Sequence, residues 1–555
     1  MNFKNLPKNW KVVRLGRVMD ILTQTINPFE NPDEQFLLYS FEAYDNFKTP
    51  EIRLGGEIRS NKIILSNDCV LFARLNPRKE RVWKVKLNKN YINIASTEFV
   101  SFTPKINLDL EYLYWVLKTI ILPRAQKNIS GTTRSRERVS KEFLANLPIP
   151  LPPLPEQKRI VEILSLAEDL IKRQKEAIAL IDKILMAKFL DMFGDPATNP
   201  KGWEVGNLGE VAEVKGGGTP SRKKSEFFEG NIAWATPTDL SAIPSIFLED
   251  TKEHITEEAI KKSSTTLMPP KTVLLSSRAT IGLVAISKIP ICFNQGITGF
   301  YCDEDVLLPQ YLFFVFKKLK DKLPDLSGST TFPEIKRTTL RNFQIPLPPL
   351  PLQQEFAQIV EEFEKKRKEM QNTLETLESL FKVLQKKAFT GELTAEWRKE
   401  QKIDWVLPKI TERQAILLAL LYYSHIVLKK PAMLTFAMKE AFLLQREAGL
   451  TLGYEFIPYK YGPFSKEVYE DIEELEKNLL VEKIKPSRDI EKTEVTISED
   501  FKDWTEKLID KLSEKHKILV QFYVQKYGTL SYNELIDYVY SKYPQFTIKS
   551  KRKKK

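Results

Sequence analysis

The segment SGTTRSRERVSK, residues 130 to 141, sets Arg134, Arg136, Arg138 and Lys141 against one acid and interleaves them with Thr132, Thr133 and Ser135. Guanidinium and hydroxyl groups on a loop supply what phosphate contact and base-edge reading require, because one arginine offers two donors to guanine. A merely solvated basic loop has the same composition, so recurrence decides. SGSTTFPEIKR, residues 327 to 337, keeps Ser329, Thr330 and Thr331 and ends on Lys336 and Arg337. Further candidates are Arg74 and Arg78 in RLNPRKER, Arg222 and Lys223 in SRKK, and Arg278 closing TVLLSSR. Asn294 and Gln295 in ICFNQGITGF carry amides that could read adenine or equally satisfy a turn.

Covalent chemistry has no comparable footing. The chain contains no GxxxxGK[ST] phosphate loop, and GGGT at 216 to 219 lacks the spacing of a dinucleotide site. His254, His425 and His516 are scattered, with none at zinc-ligand spacing. No Asn or Asp precedes a Pro-Pro-aromatic run, as an amino-methyltransferase would require. The pattern implies binding without catalysis, with no cofactor and no metal in this chain.

These candidates sit on a duplicated scaffold. IPLPPLP occurs at 149 to 155 and again at 345 to 351, an offset of 196, and the match extends outward from both copies. NWKVVRLGRV (9 to 18) answers GWEVGNLGEV (202 to 211), DCVLFAR answers TVLLSSR, and LEYLYWVLK answers LPQYLFFVFK. A period this long is tandem duplication of a whole domain, not a solenoid. Between the anchors the halves diverge, which implies two related devices tuned to different targets.

After each proline run the apolar period becomes that of a long helix. Ile160, Leu164, Ile171, Ile178 and Leu185 lie on an alternating four-three spacing, as do Phe356, Val360, Phe363, Leu374, Leu377 and Phe381. A seam kept at 3.5 residues is too narrow for a domain-facing stripe and suits another long helix, so the two are expected to form a coiled coil. At about 1.5 Å per residue, some 39 residues span roughly 58 Å, comparable to about 17 base pairs. That is the length of a rigid spacer.

Size and composition agree. The 555 residues exceed what one core supports and carry 85 Lys+Arg against 73 Asp+Glu, a net +12 that makes polyanions plausible partners. Three cysteines without CxxC spacing, no signal-like N-terminus and no apolar run long enough for a bilayer point to a cytoplasmic protein.

The combination resembles the DNA specificity (S) subunit of type I restriction-modification systems. Trp10, Leu15 and Gly16, repeated as Trp203, Leu208 and Gly209, carry the likeness with the SGTT and SGSTT loops, IPLPPLPEQKRIVEIL and IPLPPLPLQQEFAQIV, and the helix endings FGD (193 to 195) and FTGEL (389 to 393). The resemblance covers residues 1 to about 398. It implies an α+β chain with tandem α/β target recognition domains at 1–150 and 196–347 and spacer helices at 151–195 and 348–398 forming antiparallel coiled-coil helices; residues 403–555 fall outside it and read on their own as a mainly helical accessory domain with a basic tail. It further implies that the chain reads a bipartite target in double-stranded DNA, docks two methyltransferase (M) subunits and recruits restriction (R) subunits. S-adenosylmethionine, ATP and Mg would then belong to those partners. Recognition domains of this family share no fixed contact residues, so the candidates above rest on local chemistry. The competing readings are a self-contained restriction or modification enzyme and an antitoxin-like interaction protein.

Residues from about 403 onward have no counterpart in the repeat and read as helical. GYEFIPYKYGPFSKEVYEDIEELEKNLL resembles the Panacea-type domain, also seen in the SocA antitoxin, through Tyr459, Lys460, Tyr461, Gly462, Pro463, Phe464 and Ser465. The resemblance implies a further protein partner. The alternative is an accessory DNA contact supported by the KSKRKKK tail, itself readable as a solvated end.

Overall fold

The structure, a computed structural model, describes residues 3, 5–130, 137–327, 333–401, 403, 405–429, 431–485 and 493–549. The chain divides into two compact units, residues 1–166 with 382–555, and residues 167–381. It is α+β, with two tandem mixed domains, two long helices and a mainly helical C-terminal region.

The halves share their strand framework even where their sequences diverge. In the first repeat a four-stranded sheet runs Met19–Ile21, Phe99–Pro104, Cys69–Ala73, Val82–Val85. In the second the same order is Ala212–Gly216, Ile297–Cys302, Val273–Ser276, Val284–Ser287, with Phe247–Leu248 added at the edge. Each repeat also pairs two strands in parallel, Gln35–Tyr39 with Ile92–Ser96 and Ile232–Ala235 with Ile291–Phe293. Strands buried on both faces, such as Cys69–Ala73 and Val273–Ser276, read as continuous apolar runs.

The proline run has a specific structural role. Pro148–Leu151 pairs antiparallel with Lys11–Arg14, and Gln344–Leu347 pairs the same way with Glu204–Asn207. Each pairing is a two-stranded ribbon, where a residue without N–H is tolerated at an edge. Carbonyls on the prolines are then captured by side chains. Tyr112 Oη donates to the Pro150 carbonyl at 2.9 Å, and Tyr311 Oη to that of Pro346 at 2.8 Å. Gln157 donates to the Asn107 and Pro152 carbonyls, both at 2.8 Å, and accepts from Asp109 N at 2.8 Å. Gln353, 196 positions on, repeats all three bonds with Val306, Pro348 and Leu308. Both glutamines are fully buried, so every bond matters for satisfying the amide.

The helices are Leu154–Phe193 and Leu350–Thr390, 40 and 41 residues. Within residues 167–381 they pair antiparallel: Gln174 meets Met370, Asp182 meets Arg367, and Phe189 meets Phe356. Ile171, Ile178, Phe363, Leu374, Leu377 and Phe381 are half-buried, as a two-helix seam requires, while Ile160, Leu164, Leu185, Phe356 and Val360 are buried. The helices thus use one seam for mutual pairing at mid-length and for domain packing at their ends. Phe193 packs on Tyr311 at 4.8 Å, and its repeat equivalent Phe389 packs on Tyr112 at 5.7 Å. Both helices stop at a left-handed glycine, Gly194 (φ 78°) and Gly391 (φ 81°). A Cβ there would meet Pro200 and Pro7 respectively, at 2.6 and 2.5 Å, so the stop and the opening of a repeat are packed together.

A buried latch closes the first repeat. Glu156, with no exposed surface, accepts from the Trp10 indole (2.8 Å), Thr394 Oγ1 (2.6 Å) and Arg398 Nε and Nη2 (2.8 and 2.6 Å). The second repeat has Leu352 at that position, and its Trp203 donates to the Phe193 carbonyl instead.

The C-terminal region contains helices Glu412–Leu428, Leu434–Glu447, Lys466–Lys477, Lys502–Ile509, Glu514–Tyr527 and Tyr532–Lys542, with a three-stranded sheet of Ala432–Met433, Glu494–Ile497 and Val481–Lys485. Its tyrosine-glycine-proline segment folds as a hairpin, Ile457–Tyr459 against Gly462–Phe464. No helix among the described residues is long and apolar enough to cross a membrane.

Candidate nucleic-acid interface

In the first repeat the fold gathers basic residues that the sequence separates. Arg74 follows the buried strand Cys69–Ala73, and Val139 N donates to its carbonyl at 3.1 Å, which ties it to the chain leaving the SGTT loop. Arg138 pairs with Glu98 at 2.5 Å, and Arg74 approaches the same carboxylate at 3.7 Å. Arg78 makes a two-pronged contact with Glu137, at 2.8 and 3.1 Å. Arg74, Arg78 and Arg138 therefore form one cluster. Thr132, Thr133, Arg134 and Arg136 lie outside the described residues.

Neighbouring cations extend that surface. Arg53, Arg59 and Lys62 line a cleft of about 350 Å³ with Ser40, Phe41 and Ser96. Ser96 Oγ accepts from the backbone of Glu98, so the cleft adjoins the Arg74–Arg138 cluster. Lys62 is 8% exposed, donates to Ser60 O at 2.9 Å, and burial lowers its pKa. The three cations in RLGGEIRSNK were the available signal for this cleft.

In the second repeat the glycine run is the organising element. Gly216, Gly217 and Gly218 pass so close to other chain segments that a Cβ would lie 2.8 Å from Arg337 Cδ, 2.0 Å from the Asn294 carbonyl oxygen and 2.4 Å from Ser264 Oγ. KGGGT thus brings Arg337 and the Asn294–Gln295 turn together. Asn294 Oδ1 accepts from Gly296 N at 3.0 Å, which makes that side chain a turn former, while the exposed Gln295 bonds Thr219. Arg222 forks onto Glu253 at 2.5 and 2.7 Å and lies over the rings of Phe228 and Trp234, whose indole donates to the Gly218 carbonyl. Arg278 reaches Glu334 at 3.4 Å, and Ser277 N donates to the Gly296 carbonyl, so this pair joins the same neighbourhood. Lys223 and Lys336 are exposed. Ser329, Thr330 and Thr331 lie outside the described residues.

Exposure separates arginines that can exchange partners from those that cannot. The side chains of Arg78 and Arg222 are 60% and 55% exposed, so water screens their ion pairs and neither is held as a buried pair would be. Arg81 is 6% exposed, forks onto Asp45 at 2.7 Å twice and stacks on Phe41. Its role is structural. The cysteine thiols Cys69, Cys292 and Cys302 are all buried, and burial raises each pKa, which makes them poor nucleophiles. Among the described residues no cluster of three or more His, Cys, Asp or Glu could hold a metal ion.

A duplicated scaffold with two differently furnished basic surfaces is the architecture of a DNA specificity protein, and family comparison agrees. The sequence model of the type I restriction modification DNA specificity domain matches residues 7–180 and again 200–379, and the chain belongs to that family. The antitoxin SocA-like Panacea domain matches residues 438–544. Among individual relatives, the type I restriction enzyme MjaIX specificity subunit of Methanocaldococcus jannaschii is 40% identical over 167 residues, covering 30% of this chain and 38% of its own length. The MjaVIII specificity subunit of the same organism is 25% identical over 397 residues, 64% of this chain and 88% of that one. The EcoR124I/EcoR124II specificity subunit of Escherichia coli is 28% identical over 267 residues, 46% and 63% respectively. Of solved structures, the HsdS subunit from Thermoanaerobacter tengcongensis aligns with 22% identity and TM-score 0.35 over 70% of this chain and 98% of that one. The type I S subunit from M. genitalium aligns with 15% identity and TM-score 0.44 over 70% and 97%.

Proposed function

We propose that this chain is the non-catalytic, DNA-reading subunit of a type I restriction-modification complex, with each repeat reading one block of a bipartite target in double-stranded DNA. The observation that carries this reading is the repetition of an invariant base under two unlike basic surfaces. Tyr112 and Gln157 recur as Tyr311 and Gln353 with the same bonds, whereas the Arg74–Arg78–Arg138 cluster and the Arg222–Gln295–Arg337 cluster differ in sequence and in supporting loops. Shared framing with different readers is what two half-sites demand.

The spacer helices set the gap between the blocks and dock the methyltransferase subunits. Exposed apolar residues on both helices support this: Leu166, Leu170, Leu180 and Ile184 on the first and Leu380 and Val383 on the second are 46–62% exposed. Methyl transfer from S-adenosylmethionine, and ATP- and Mg-dependent restriction, belong to the M and R partners, which work in the cytoplasm. The C-terminal domain adds a protein-binding role, which the Panacea match and the exposed Ile518 and Phe522, one turn apart on the helix Glu514–Tyr527, favour.

Long-read mapping of modified bases in a host expressing this chain with its neighbouring methyltransferase, against the same host without this chain, tests the reading. Two short methylated blocks at a fixed gap are expected. Absence of any motif, with both proteins soluble and associated, would refute it.

A further inference from the structure

The residues that open the two repeats fold alike and differ in charge. Lys11, Arg14 and Arg17 stand where the second repeat has Glu204, Asn207 and Glu210. Lys11 and Glu204 both begin the strand that pairs with the proline strand, opposite Leu151 and Leu347, and Arg17 and Glu210 both lie in the short helix that follows. In the second repeat Glu204, Val205 and Glu210 are exposed.

In the first repeat Lys11 and Arg17 are largely covered by the chain's own C-terminal region, while Val12, the counterpart of Val205, stays exposed. Lys11 Nζ lies 2.6 Å from Asp503 Oδ1, 5.3 Å from the ring centre of Phe501 and 6.0 Å from those of Trp405 and Trp504. Its side chain retains 17% exposure, and an ammonium group so desolvated gains from aromatic faces as well as from the carboxylate. Arg17 Nη2 pairs with Glu482 at 2.9 Å and donates to Ser498 Oγ at 3.0 Å, and that hydroxyl donates to Glu482 at 3.1 Å. The Trp405 indole donates to the Asn9 carbonyl at 3.1 Å, and Asn107 Nδ2 to the Val406 carbonyl at 3.1 Å.

We propose that the opening of the first repeat is a charge-selected seat for the C-terminal domain of this same chain, and that it fixes that domain there as a third body. An acid-and-aromatic socket, Glu482, Phe501, Asp503 and Trp504, grips Lys11 and Arg17, with Trp405 as the hinge-side wall. The pseudo-equivalent face of the second repeat would set Glu204 and Glu210 against the socket's acids, and like charges facing each other exclude a wrong partner. The second repeat's face therefore refuses the domain, and each chain offers one seat for it. Whatever the C-terminal domain captures is then held beside Glu156, where the first spacer helix begins, and not on a free tether. This assignment is independent of which DNA the chain reads.

Limited tryptic digestion of the full chain tests it through cleavage at the Arg and Lys residues between 398 and 409. Lys11→Glu with Arg17→Glu, which installs the second repeat's charges, is expected to accelerate that cleavage at least tenfold. Adding Asp503→Lys and Glu482→Arg to the same chain reverses the complementarity and is expected to restore the slow rate, which a variant damaged in folding would not do. Cleavage as slow in the double variant as in the parent, or as fast in the fourfold variant as in the double one, would overturn the proposal.

Discussion

Gln174 and Met370 are 196 positions apart, the offset of the duplication, and they touch: Gln174 Nε2 donates to the Met370 carbonyl at 2.9 Å. Equivalent residues of two repeats meet only where a local two-fold relates them. The antiparallel helix pair therefore carries a pseudo-dyad at this point, and the seam around it is shared by both copies.

Charge placed in that seam should part the helices. Ile178→Asp with Leu377→Asp puts two carboxylates at half-buried positions, costing together roughly 3 kcal/mol or more. Co-purification with the methyltransferase is expected to be lost, while each recognition domain keeps its fold by circular dichroism. Undiminished association would contradict the pairing.

The latch at Glu156 predicts a non-additive pair. Removing Arg398 leaves a carboxylate without exposed surface facing only Trp10 and Thr394, and Arg398→Met should destabilise by about 3–5 kcal/mol in denaturant unfolding. Pairing it with Glu156→Leu, the residue type the second repeat has at Leu352, is expected to recover most of that loss.

A pH dependence follows from Glu440. Its carboxyl is fully buried, burial raises its pKa to about 8, and the hydrogen bond from Ser424 Oγ at 3.2 Å opposes that only in part. Below the ordinary glutamate range both folded and unfolded chains are protonated, and the group takes nothing from stability. As pH rises from about 4.3 the unfolded chain ionises first, so stability falls until the folded carboxyl also ionises near pH 8. Glu440→Gln should flatten this limb and raise the unfolding midpoint of the C-terminal domain at pH 7.5, by an amount equivalent to a few kcal/mol.

The two classes of arginine should separate experimentally. Arg81→Ala breaks a part-buried fork and its stacking on Phe41 but leaves Asp45 partly solvated beside Lys79, and is expected to lower stability by about 1–3 kcal/mol. Arg78→Ala removes an exposed, solvent-screened pair and should leave stability essentially unchanged while weakening DNA binding. Thermal melting and titration with target DNA read the two effects apart.

Much of this architecture was legible in the sequence because it is periodic. The seam from Ile160 to Leu185 and from Phe356 to Phe381, the offset of 196 and the helical C-terminal segments all follow from spacing. What was not legible depends on partners distant along the chain. Gln157 reads as one more polar residue after a proline run until Asn107 and Asp109 close around it, and KGGGT reads as an unsuccessful phosphate loop until Arg337 and Asn294 are seen against it. Composition also overstates free charge: Arg78, Arg138, Arg222 and Arg278 each have an acid at hand, set by tertiary folding.

The claim that each repeat reads its own block is tested most directly by three modification maps, from the parent chain, from Arg78→Ala and from Arg222→Ala, each with the partner methyltransferase. The two substitutions are expected to relax different blocks of one bipartite motif, each lost base contact weakening discrimination by about 1–3 kcal/mol. Relaxation of the same block by both, or uniform loss across unrelated sequences, would contradict it.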